Sequence, residues 1–184
     1  MPEADDEALV SALLAVSRTM VALTARTLAD LDVDVTVPQY RALVILATEP
    51  RRSSELAEEL GVAVSTMTRM CDRLCHKGLI HRFHRDGNRR TIWLGLTDAG
   101  RDTVGAVMHA RRRELRGIVQ EAGLTASRRT LDLLHRFVRA GGELPDDEWW
   151  QHWQRSADEA PAPARRRRPI NTARDDRRAA TPVR

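Results

Sequence analysis

The chain has 184 residues, 30 basic and 26 acidic, for a net charge of +4 and a pI near 10, enough for one domain and a tail. At 42% hydrophobic with only seven aromatic residues, its core must be built from aliphatic side chains and Ala. No Gly-rich phosphate loop, paired-carboxylate motif or nucleophile elbow is present, and the six histidines are scattered without acids in a shared frame, so an enzyme is not expected.

The start, Met1-Pro2-Glu3-Ala4-Asp5-Asp6, is acidic where a secretory signal begins basic. No run approaches the roughly 18 apolar residues of a membrane span. The expectation is a cytoplasmic protein with no membrane partner and with its two cysteines, Cys71 and Cys75, reduced.

Leu9 to Leu31, within about 7–31, reads as a long helix. Leu9, Leu13, Val16, Met20 and Leu23 recur at spacings of 4, 3, 4 and 3, the seam of helices packing on helices. Packing within the chain covers part of that face, and a dimer interface is expected on the rest. Asp32 to Thr36 is a linker. Thr36 caps a second helix, with Pro38 in its first turn and Tyr40, Leu43, Val44 and Ala47 as core. Pro50 stops it.

Ser53 or Ser54 then caps a short third helix with Leu56, Ala57 and Leu60 on its buried side. Gly61 makes a tight turn into a fourth helix, from about Ala63 to Lys77. Met67, Cys71 and Leu74 mark its buried face, and Ser65, Thr66, Thr68, Arg69 and Arg73 its exposed one. Gly78 ends this helix. A hairpin follows from Ile80 to Arg85 and from Thr91 to Leu96, with Asp86-Gly87-Asn88 at its tip. Ile92, Leu94 and Leu96 alternate inward, which turns Trp93 outward. Thr97 caps a helix to about Ala122, and Thr125 caps a last helix to about Ala140. From Glu143 the composition shifts to prolines and dense mixed charge, the pattern of a disordered tail over 143–184. Trp149 and Trp153, four residues apart, offer one helical turn that docks on the body, and Arg165 to Arg168 either adds phosphate contacts or stays solvated.

Two helices joined by a tight turn and followed by a two-stranded ribbon form a winged helix-turn-helix, whose second helix enters the major groove of DNA. Charge agrees. Between Ser65 and Arg90 lie Arg69, Arg73, Lys77, Arg82, Arg85, Arg89 and Arg90 against Asp72 and Asp86, a net +5 in 26 residues, leaving −1 for the rest. Positive potential is therefore concentrated on the reading head. Hydroxyls on the fourth helix permit close approach to phosphates and thymine methyls, and Arg69 reaches a guanine edge.

On these residues the chain resembles the MarR family of bacterial transcription regulators. The likeness spans about Leu9 to Ala140. It is densest at Glu55-Leu56-Ala57, Leu60-Gly61-Val62, Thr68-Arg69, Asp72-Arg73-Leu74, Lys77-Gly78-Leu79-Ile80, Arg82, Arg89-Arg90 and Leu96-Thr97-Asp98-Ala99-Gly100. The resemblance implies a mainly α fold with a small β wing, assembled as an intertwined helical homodimer. Its domain covers 1–142, with dimerisation helices at about 7–31 and 98–140 and a DNA-binding lobe at about 36–97. It also implies a regulator, most often a repressor, that reads a pseudo-palindrome in double-stranded DNA and is released by a small-molecule effector.

By the same resemblance the wing contacts come from Arg85, Asn88, Arg89 and Arg90, with Arg90 entering the flanking minor groove. By position, Met20, Tyr40 and Leu43 are the candidates for an effector pocket, and no cofactor or metal is expected. Two positions depart from the family pattern. Ala63 stands where a capping Ser, Thr or Asp is usual, and Asn88 stands where an Asp holds the wing arginine. Two alternatives stay open: a redox or metal sensor built on Cys71 and Cys75, and a sequence-tolerant DNA-coating protein.

Overall fold

The computed structural model describes residues 2–85 and 90–158. The elements are α1 (Pro2–Asp30), α2 (Val37–Leu46), α3 (Ser53–Glu59), α4 (Val64–His76), β1 (Ile80–Phe83), β2 (Trp93–Leu96), α5 (Asp98–Glu121), α6 (Arg128–Ala140) and α7 (Asp146–Asp158). This is the expected mainly α fold with a small antiparallel wing, in which Ile80 pairs with Leu96 and Phe83 with Trp93. Arg51 adds a short third rung: its N–H donates to the Leu94 carbonyl at 3.1 Å, and the Leu94 N–H donates back at 2.8 Å.

The core lies between α2, α3, α4, the inner face of the hairpin and α5. Leu43, Leu56, Met67, Leu74, Leu94, Val104 and Val107 are its fully or almost fully buried members. Each comes from the apolar face its helix or strand period dictates. Local signals set most boundaries. Thr36 and Gln39 form the capping box of α2, and Thr97 caps α5 by accepting from the Gly100 N–H at 3.0 Å. Two caps fall elsewhere than expected. Arg52 is the N-cap of α3, where Glu55 accepts from the Arg52 backbone N–H at 2.7 Å. Ser127 rather than Thr125 caps α6. The Arg52 hydrogen bonds hold the Glu55 carboxyl below its ordinary range.

α1 is long because its apolar stripe serves two surfaces. Its C-terminal part belongs to the chain's own core: Leu23 and Leu28 are buried, and the buried Thr27 hydroxyl donates to Glu114 Oε1 of α5 at 2.8 Å. Leu23 is therefore an internal residue, not part of an exposed seam, because the 3.6-residue period turns it onto α5. Leu9 and Val16 are exposed, and Leu13 and Met20 are half-buried. The stretch Asp5–Asp30 is also long enough, and an 18-residue window of it apolar enough (mean hydropathy 1.7), to cross a membrane by length and composition. The expectation that no segment approaches a span thus fails on composition. A helix–helix seam and a span draw on the same residue types, and Ala, Leu and Val fill both.

At the C-terminus the expected disordered tail over 143–184 gives way to the docking that the Trp149 and Trp153 spacing offered. Residues 146–158 are not a disordered tail but a docked helix. Trp149 is 8% exposed and joins the core, stacked on Trp153 with ring centroids 5.4 Å apart and edge-on to Trp150 at 5.1 Å. Ion pairs fasten the helix start: Arg112 with Asp146, Arg139 with Glu148, and Arg41 with Glu143 in the preceding turn. At its other end Ser156 donates to the Ala47 carbonyl at 2.7 Å. Proline and charge set the composition of the region, but three large rings supply enough apolar area to order one helix. The remainder of the tail, 159–184, lies outside the described residues.

Replacing Trp149 with Ala should therefore cost about 3 kcal/mol in urea unfolding, whereas ending the chain at Asp158 should leave the transition unchanged.

Candidate nucleic-acid interface

α4 is strongly two-faced. Met67, Cys71 and Leu74 are at most 1% exposed, while Ser65, Thr66, Thr68, Arg69 and Arg73 all face solvent. The five residues expected on the reading face are thus brought together on one surface. Ala63 is the N-cap and gives no side-chain hydrogen bond, so the first N–H groups of α4 keep unsatisfied donor capacity toward solvent or an anion. The Thr68 hydroxyl donates back to Val64 at 2.9 Å, leaving its oxygen to accept and its methyl outward.

The junction behind α4 fixes its orientation. Gly78 adopts φ +71°, a conformation that only Gly takes at low cost. Its carbonyl accepts from the Thr97 hydroxyl at 2.6 Å, and the Leu79 carbonyl accepts from the Thr97 N–H at 3.1 Å. One turn on, a Cβ at Gly100 would sit 2.0 Å from the Leu79 oxygen. The end of α4, the hairpin and the start of α5 are therefore in contact at backbone distance.

Side chains refine the charge pattern. Arg82 on β1 donates to Asp72 on α4 at 2.6 Å, which ties the wing to the helix and raises the Arg82 pKa. Lys77 pairs with Asp34 at 3.0 Å. Two of the seven basic residues in the patch are thus engaged with carboxylates. Arg85 lies over the face of Trp93, 3.8 Å from its ring centroid, with Arg52 at 6.0 Å from the same ring. Trp93 acts as a platform at the base of the wing; its outward position was readable from strand alternation, but its role was not. Ile92 lies outside β2 and is exposed, so the inward alternation begins only at Leu94. The His84 ring bonds the Thr91 carbonyl at 3.0 Å and braces the hairpin. Arg90 is exposed. Asn88 and Arg89, with the tip at Asp86 and Gly87, lie outside the described residues.

Of the three residues expected to line an effector pocket, Tyr40 and Leu43 fill the core and Met20 is on α1; four cavities of about 270 to 420 Å³ among the described residues are lined by none of them. α2 turns its apolar face into the lobe, which consumes Leu43 as packing. Tyr40 is different: its hydroxyl is buried without a hydrogen bond, as is Nε of Arg111. Burial raises the Tyr40 phenol pKa, and the nearby Arg111 guanidinium pulls the other way.

Cys71 is a core residue whose thiol burial, with Cys75 one turn on, pushes up to about 11. Cys75 is raised too, chiefly by burial. Both thiols stay protonated near neutrality, the unreactive form. Among the described residues no group of three His, Cys, Asp or Glu side chains is placed to hold a metal.

The sequence pattern of the MarR family matches residues 35–92, which contain α2, α3, α4 and β1 and end just before β2. The HTH-type transcriptional repressor MdtR of Bacillus subtilis is 39% identical over 84 residues, covering 44% of this chain and 54% of that protein. The chain spans about half the length of the curated relatives it matches. Among solved structures, RV1404 from Mycobacterium tuberculosis superposes with a TM-score of 0.68 at 38% identity, covering 76% of this chain and 96% of that one. A mutant of MarR from E. coli gives 0.59 at 26% identity, covering 71% and 95%.

Gly100→Ala should destabilise the lobe by about 3 kcal/mol, because the added methyl meets a backbone carbonyl that two elements share. Thermal unfolding followed by circular dichroism measures it, with the solvent-facing Gly117→Ala expected to be neutral or stabilising.

Proposed function

The chain belongs to the MarR family of transcription regulators, and on that premise we propose that it is a homodimeric, ligand-responsive repressor binding a pseudo-palindromic site in double-stranded DNA in the cytoplasm. The observation that carries this reading is the α4 face: three hydroxyls and two arginines exposed together, backed by a fully buried apolar face and flanked by a basic hairpin. In this reading residues 36–97 are the DNA-binding lobe, and α1 with 98–140 forms the dimerisation part of a domain over 1–142, to which α7 is added. Ser65, Thr66 and Thr68 approach phosphates and thymine methyls, Arg69 reads a guanine edge, and Arg73 adds a second contact. Arg85 and Arg90, with Asn88 and Arg89 between them in sequence, address the flanking groove.

The dimer surface is the apolar area the single chain leaves uncovered. No residue of α6 is buried, and Leu131, Leu134 and Phe137 lie open on it, as do Leu9 and Val16 on α1. Such an area calls for a second copy. For the effector, Tyr40 is the member of the expected set that supports a site. Its buried hydroxyl lies beside the Arg111 guanidinium, whose Nε is buried without an acceptor, which suits a small acid. They stand where α2 of the lobe meets α5. A ligand that binds better when the lobes are misaligned shifts the population away from the DNA-competent spacing.

Arg69→Ala should cost ~1–3 kcal/mol on the selected site and relax base choice at one position per half-site. Arg90→Ala should weaken binding most where the flanks are A·T-rich, leaving major-groove choice unchanged. Site selection from random duplex with both variants checks this, and the reverse assignment would overturn the docking orientation. The pair Leu134→Asp and Phe137→Asp should give a folded monomer in sedimentation, since neither side chain contributes to the single chain's core; a persistent dimer would exclude α6 from the interface.

A further inference from the structure

A cavity of about 400 Å³ lies where the hairpin, the end of α2, the start of α5 and the end of α7 converge. That volume is within the range of small-molecule sites. α7 stands beyond the domain over 1–142, so the lining that Ser156 contributes is an addition to the winged helix.

Part of the lining is aromatic. His81 pairs with Gly95 across the hairpin, and Phe83 pairs with Trp93. A Cβ at Gly95 would stand 3.2 Å from Cε1 of His81 and 3.3 Å from Cε1 of Phe83. Glycine there lets both rings close over the backbone of β2, with centroids 5.4 Å apart and planes tilted by 35°. Any larger residue would push them into the cavity. A tilted pair of rings on a rigid strand is a surface on which a planar ligand packs.

The charge of the lining is mainly positive. Arg101 of α5 is half-buried and held in one orientation. It donates to Ser156 Oγ at 2.6 Å and to the Trp153 carbonyl at 3.4 Å, and it lies over the Trp153 ring, 4.9 Å from the centroid. Ser156 is fixed in turn by its bond to the Ala47 carbonyl at 2.7 Å. Arg85 is exposed and restrained by stacking on Trp93. Glu49 is the acid among the described lining residues, and it pairs with Arg51 at 2.5 Å. Guanidinium groups bind carboxylates through paired hydrogen bonds, and groups ordered beforehand lose little entropy on binding.

We propose that this cavity is a small-molecule site for a planar aromatic carboxylate, with the ring against His81 and Phe83 and the carboxylate on Arg101 and Arg85. It is separate from Tyr40 and Arg111, goes beyond the regulator reading and does not depend on DNA binding by α4. Occupancy joins the hairpin to α7 through the ligand.

Isothermal titration calorimetry of the full chain tests this with naphthoate, its neutral analogue naphthamide and the non-aromatic cyclohexanecarboxylate as probes. Naphthoate should bind with about one equivalent per chain, and the other two at least about tenfold more weakly, since each lacks one half of the match. Arg85→Gln, an exposed change, should weaken naphthoate about tenfold. Ser156→Phe should abolish binding by filling the cavity. Its melting temperature is measured in parallel, and if α7 is released, Arg85→Gln and Phe83→Leu decide instead, the latter with a loss of about fivefold. The double variant Tyr40→Phe and Arg111→Gln should bind naphthoate like the full chain. No saturable binding below about 1 mM, equal affinity for naphthamide, or unchanged affinity in Arg85→Gln and Phe83→Leu would overturn the proposal. So would loss of binding in the Tyr40 and Arg111 variant, which would move the ligand to the other site. None of these readouts uses DNA, so their failure leaves the regulator reading standing, and a chain that selects no duplex leaves this one standing.

Discussion

The carbonyl oxygen of Leu79 is where the exposed helix α4, the hairpin and the long helix α5 meet. It accepts the Thr97 N–H and leaves no room for a side chain at Gly100, while Gly78 next to it turns through φ +71° and accepts the Thr97 hydroxyl. Three elements that would otherwise be joined by flexible connections are thus held by contacts at backbone distance. Rigid orientation matters for a surface proposed to enter a groove, because a misplacement of about 1 Å breaks bidentate hydrogen bonds. The Arg82–Asp72 pair and the Arg51–Leu94 rung reinforce the same block from its two sides.

The electrostatics are organised around that block and not spread over the molecule. Arg82 and Lys77 are partly neutralised by Asp72 and Asp34, so they act as struts. Arg69 and Arg73 remain on the open face of α4, and Arg85 rests on Trp93. Stacking restrains the guanidinium without cancelling its charge. The two cysteines follow from packing in the same way: Cys71 is a small apolar filler under the exposed face, and its raised thiol pKa fits that role better than a reactive one.

α7 ties α2 to α5 and α6 beyond what those helices provide themselves. Its tryptophans rest against the core, its acidic start pairs with α5 and α6, and its end bonds α2 through Ser156. One helix therefore touches both the part that carries α4 and the part that leaves its apolar faces open. Any change in the angle between those parts would strain or release the contacts of Trp153, Arg101 and Ser156.

The two faces of α4 were legible in the sequence because helical period and residue type act locally. Met67, Cys71 and Leu74 on one side and Ser65, Thr66, Thr68, Arg69 and Arg73 on the other follow from 3.6 residues per turn alone. The caps at Thr36 and Thr97, the turn at Gly61 and the strand alternation from Leu94 to Leu96 are equally local. What only the tertiary structure decided depends on residues far apart in the chain. Leu23 faces α5 rather than an exposed seam because of the crossing that Thr27 and Glu114 make. Leu43 is core rather than pocket because α2 is covered from every apolar side. The proline- and charge-rich stretch after Glu143 holds a helix because Trp149 finds a site among distant residues. Period and capping can be read along a sequence, whereas the partner that buries a side chain is fixed only when the chain has folded.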